Sequence, residues 1–166
     1  MRNNHWLEQE LNDIWKRYFS DIEKLNNIHI VFGRKARRRL GSIRQLNRFE
    51  KSSDTEIKIT GFFKSEDIPE YIVDLTIAHE LCHYAHGFAS PLPKFSRFPH
   101  RGDIVDRELK ARGLEEPLKL QEKWLKDNWN NIVGGDIFAR KHARVRRIRR
   151  KRTPLLSFIR KFVFNS

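Results

Sequence analysis

Cysteine is nearly missing from this chain: its 166 residues include one, Cys82. A disulfide framework is therefore excluded, a cysteine-rich structural zinc site is disfavoured, and a reducing compartment is expected. Long apolar runs are missing too. The stretch MRNNHWLEQELNDIW has no apolar run of the signal-peptide type, and no segment approaches membrane-spanning length. The sequence has no internal repeat. Negative charge is in short supply, with 21 acidic residues against 34 lysines and arginines, a formal net charge of +13. That imbalance points to a polyanionic partner, nucleic acid before an anionic membrane surface. Hydrophobic residues make up 39% of the chain, enough for a globular core, and the length fits one domain with a terminal extension. The expected division is a domain over residues 1–135 and a basic extension over 136–166. The expected location is cytoplasmic or nucleoid-associated.

The fold class expected from the pattern is α+β. Trp6, Leu7, Leu11, Ile14, Trp15, Tyr18, Phe19, Ile22 and Leu25 recur at helical spacing, which predicts an amphipathic helix over residues 5–25. Ile28, Ile30 and Phe32 alternate as in a strand, LGSIR after a basic cluster reads as a second, and TEIKIT over 55–60 as a third. These predict a small, mostly antiparallel three-stranded sheet. Asp67-Ile68-Pro69-Glu70 has the form of a helix start and Gly87 that of a stop. Residues 88–99 (FASPLPKFSRFP) read as a loop whose Phe88, Phe95 and Phe98 either line a cleft or, in the favoured reading, pin the loop to the core. Further helices are expected over 103–112, ended by Gly113, and over 116–133, broken by Gly134-Gly135.

The chemistry lies in the helix between those start and stop signals. His79-Glu80-Leu81-Cys82-His83 matches H-E-x-x-H. Positions four apart share one helix face, so both imidazoles can reach one zinc ion, and Glu80 can act as general base on the zinc-bound water. The competing reading is two core histidines satisfied by hydrogen bonds, with Glu80 at the surface. Catalytic zinc takes three protein ligands and leaves one position open. His100, after the proline-rich loop, is the preferred third ligand, with Glu108, Asp103 and His86 as competitors.

With its basic turn, LGSIR, IKIT and IPEYIVDLTIAHELCH, the chain resembles the SprT-like metallopeptidases, a gluzincin-related group that includes the Spartan DNA–protein crosslink proteases. The resemblance spans roughly residues 5–113. It implies zinc held by His79, His83 and His100, catalysis by Glu80, and no ligand role for Cys82. In the family the third histidine opens an H-G-x-x-F type segment. Here the segment is His100-Arg101-Gly102-Asp103-Ile104, with one residue inserted before the glycine and Ile104 where an aromatic is usual. No cysteine-rich zinc ribbon follows.

The end of the chain changes character. Residues 140–152 (RKHARVRRIRRKR) are almost all cationic, and Leu155, Phe158, Ile159 and Phe162 follow at amphipathic spacing. The favoured reading makes Arg34–Arg39 and Arg140–Arg152 sequence-independent contacts to nucleic-acid phosphates. The others are an anionic-lipid element and a solvated helix face. The expected function is a zinc metalloendopeptidase that hydrolyses peptide bonds of proteins associated with or crosslinked to nucleic acid. The rival expectation is a non-enzymatic basic nucleic-acid-binding protein with a structural or absent metal.

Overall fold

The computed structural model describes residues 1–95 and 103–151, the stretch 137–151 as helix backbone. The chain divides into two compact units, Met1–Lys123 and Trp124–Ser166. The first opens with helix α1 (Asn4–Tyr18), whose Asn3 side chain accepts a hydrogen bond from the Trp6 amide at 2.9 Å. Leu7, Leu11 and Ile14 form its buried face. The helix stops at Tyr18, well short of the expected residue 25. Phe19 leaves the helical path and is fully buried, and the Arg112 guanidinium donates to the Tyr18 carbonyl, satisfying an end that another turn would have used.

Three strands follow: β1 (Ile28–Phe32), β2 (Gly41–Gln45) and β3 (Thr55–Ile59). Their order in the sheet is β1-β3-β2, so β3 is central. Ile28, Ile30, Ile43, Ile57 and Ile59 are buried on the sheet. β2 pairs antiparallel with β3, Ile43 opposite Ile57, while β1 pairs parallel with β3, Ile30 opposite Ile57. The α+β class is as expected. The sheet is mixed rather than mostly antiparallel, because β3 inserts between β1 and β2 instead of continuing a meander.

A 3₁₀ turn (Gly61–Lys64) leads to helix α2 (Glu70–Ala85). The expected cap residue, Asp67, instead accepts from the Ser65 hydroxyl at 2.8 Å, and Pro69 holds the position before the first turn. Eleven residues of α2 are buried, around most of its circumference, as in a helix enclosed by neighbours rather than lying on a surface. Those neighbours are α1, β2, β3 and helix α3 (Ile104–Ala111). Gly87 ends the helix at φ +72°, and a Cβ there would lie 2.3 Å from the Pro93 carbonyl oxygen. Gly113, at φ +82°, ends α3 in the same way.

Helix α4 (Glu115–Lys151) runs through Gly134-Gly135, which was expected to break it. A helical glycine costs only about 1 kcal/mol relative to alanine, and a long helix tolerates two. No described helix is long and apolar enough to cross a membrane.

Candidate metal centre and cleft

Helix α2 brings three of the motif residues to one place. The rings of His79 and His83 stand 4.9 Å apart between centroids, edge to face at 78°. His83 is buried and His79 half-buried. Glu80 is buried as well, at 5% exposure, so the reading that left it on the surface is overturned. Burial pushes its carboxyl up to about 7, against the opposing charge of Arg39. All three residues line a cleft of about 490 Å³ whose other wall is the start of β2 and the residues before it, Arg38 to Ile43.

The fit between the two walls depends on Gly41. A Cβ at this position would sit 2.5 Å from Oε1 of Glu80 and 3.0 Å from its Cδ and Cγ. The missing side chain is the space the carboxylate occupies. Phe88 closes another side, its ring 5.7 Å from that of His83. Phe88 therefore lines the cleft, where the favoured expectation had it pin the loop. Phe95 instead lies against His86, ring centroids 5.3 Å apart. Phe98 lies outside the described residues.

The competitors for third ligand are placed elsewhere. His86 directs Nε2 toward Glu108, at 3.7 Å. Glu108 also accepts from Arg112 at 2.8 Å. Asp103 precedes α3 in the left-handed conformation, at φ +54°. Among the described residues, no further His, Cys, Asp or Glu closes a three-donor group with His79 and His83. His100 lies outside the described residues. Cys82 is fully buried and its thiol is pushed up to about 12, chiefly by burial, which makes it a small core side chain.

Another cluster had no signal in the sequence. Glu10, Glu70 and Asp74 bring their carboxylates within 4.8 Å of one another beside a separate cavity of about 250 Å³. The Asp74 carboxyl is pushed up to about 7, first by burial and then by the charges of Glu10 and Glu70. The cleft roles of Arg38, Arg39 and Gly41 were also missed. A glycine at the head of an alternating segment marks a close backbone approach, and that signal was present in LGSIR.

In comparisons with known proteins the chain matches no family model, no curated protein and no solved structure.

Proposed function

We propose that the chain is a zinc-dependent metalloendopeptidase of the SprT-like type, acting on proteins associated with or crosslinked to nucleic acid. The observation that carries this reading is the gathering of His79, Glu80 and His83 on one stretch of a buried helix at the wall of an open cleft. The donor chemistry fits zinc: two neighbouring imidazoles four residues apart, with an acid beside them. His79 and His83 would hold the ion, and His100 is the third ligand that the resemblance implies. When bound, zinc supplies a Lewis acid that polarises a carbonyl oxygen and makes water more acidic.

The remaining work belongs to the chain itself. Glu80 takes a proton from water as that water attacks the scissile carbonyl carbon. The carbon–nitrogen bond then breaks, and Glu80 returns the proton to the departing amine. Glu80 lines the cleft next to His79, placed for both directions of that transfer. Gly41, Ile43 and Phe88 line the cleft around it. The net charge of +13, the loop cations Arg34, Lys35 and Arg37, and the basic stretch Arg140–Arg152 support a nucleic-acid tether of the salt-sensitive, sequence-independent kind.

Metal content tests the foundation. Protein purified without a metal-affinity tag should carry about one zinc per chain. His79→Ala and His83→Ala should lose it, and His100→Ala should hold clearly less. Wild-type protein that takes up no zinc even when zinc is offered would contradict the proposal.

A further inference from the structure

The connection between β1 and β2 carries five cations in residues 34–39: Arg34, Lys35, Arg37, Arg38 and Arg39. It is not a loose loop. The Gly61 amide donates to the Arg34 carbonyl at 3.1 Å, and the Thr60 amide to the Leu40 carbonyl at 2.8 Å. Between these ties, the Thr60 hydroxyl accepts from the Ala36 amide at 3.0 Å and donates to the Ala36 carbonyl at 3.1 Å. The backbone is thus pinned at the start of, within and just after the basic run. Pinning it gives Arg38 and Arg39 a defined place, and both line the cleft beside His79 and Glu80. Both are exposed, and the charge of Arg39 already acts on the Glu80 carboxyl across the cleft. Two exposed guanidinium groups therefore line the cleft. Their planar forks match carboxylates and phosphates alike, so the neighbouring strand must decide between them.

The strand that follows says what kind of chain would bring those carboxylates. β2 begins at Gly41, two residues after Arg39, and is an edge strand of the sheet, hydrogen-bonded to β3 on one side. The outer edge of such a strand offers backbone N–H and C=O groups in the repeat that an extended polypeptide answers. A nucleic-acid backbone has no matching repeat. A polypeptide laid along this edge past Glu80 would carry its side chains past Arg38 and Arg39.

We propose that Arg38 and Arg39 are specificity-determining residues that select acidic side chains close to the scissile bond of a polypeptide substrate. The assignment rests on the endopeptidase reading for the words scissile bond, and its recognition element can be tested without catalysis. Two of the five loop cations thereby act in the cleft, leaving the others for the outer surface.

The test measures binding to the full chain carrying Glu80→Gln. The probes are a dodecapeptide of alternating glutamate and alanine, its glutamine counterpart, and a single-stranded oligonucleotide, each labelled with a neutral dye and followed by fluorescence anisotropy at near-physiological salt. The glutamate peptide should bind about tenfold more tightly than the glutamine peptide. Adding Arg38→Glu and Arg39→Glu should remove that preference. Adding Arg48→Glu and Lys51→Glu, an equal change in net charge on the exposed β2–β3 connection, should leave it intact. Circular dichroism checks that both variants keep the fold. Equal loss in the two double variants would reduce the effect to general charge and overturn the proposal. So would equal binding of the two peptides, or Arg38 and Arg39 serving the oligonucleotide instead. A chain that binds in the expected pattern yet cuts no peptide would lose the endopeptidase reading and retain these arginines as a carboxylate-binding pair.

Discussion

At the scale of single residues, the position of Glu80 depends on an atom that is not there. Gly41 leaves the volume of one methyl group, and the carboxylate fills it. Gly41→Ala should drive the Glu80 side chain out of line. A displacement of about 1 Å near the chemistry is enough for a loss of about a hundredfold in kcat/KM. Zinc content should stay at the wild-type level, since the three atoms nearest the new methyl all belong to Glu80. Wild-type cleavage by this variant would contradict the positioning role. Asp74 invites a different measurement. Its carboxyl rises from an ordinary value of 3.8 to about 7 because burial, then Glu10 and Glu70, disfavour its charged form. A folded-state value above the unfolded one means that the group's contribution is fully present below about pH 4 and is lost as pH rises through about 7. Asp74→Asn should therefore stabilise the protein by about 1–2 kcal/mol at pH 8 and give no gain at pH 4. Urea denaturation at the two values checks this, and an equal effect at both would contradict it.

At the scale of elements, Arg112 ties the end of α1 to α3. Its guanidinium donates to the Tyr18 carbonyl and to Asp21 at 2.7 and 3.1 Å. It also donates to Glu108 at 2.8 Å and lies over the Phe19 ring, 4.3 Å from the centroid. Arg112→Ala should cost about 2 kcal/mol in urea denaturation, because a carbonyl and two carboxylates lose their donor together. Arg112→Lys should recover less than half of that, since an ammonium cannot serve three acceptors and a ring face at once. A cost below about 0.5 kcal/mol for the alanine variant would contradict the tie. This residue also explains where local reading failed. Ile22 and Leu25 continue the period of α1, but Arg112 and the inward turn of Phe19, contacts from distant sequence, end the helix at Tyr18. The α2 helix and β3 were legible because their signals are complete: apolar residues around the whole helix, and the strict alternation of TEIKIT. Alternation reveals which face of a strand is buried, not which strand lies beside it or in which direction, so the parallel β1–β3 pairing had no signal. The site divided in the same way. His79, Glu80 and His83 share one helical stretch and were readable as a unit. Gly41, Arg38 and Arg39 arrive from a separate strand and loop, and only the fold brings them together.

At the scale of the whole molecule, the proposed chemistry and the densest positive charge belong to different units. His79, His83, Glu80 and the cleft lie within Met1–Lys123, and the cationic run 140–152 lies within Trp124–Ser166. Under the proposed function, a basic stretch that would hold phosphates without reading sequence, in the same chain as a cleft that would take extended polypeptide, suits an enzyme whose substrates are chosen largely by where they sit. Within the cleft, the two arginines that line it then discriminate by charge. The claim on which all of this depends is that Glu80 moves the proton. Cleavage of an unfolded protein by the zinc-loaded full chain, with and without DNA, should be compared for wild type and Glu80→Gln at matched zinc content. The account predicts cleavage by wild type and a loss of at least about a thousandfold in the variant, with zinc retained. Equal cleavage by the two proteins, or none by zinc-loaded wild type under either condition, would contradict it.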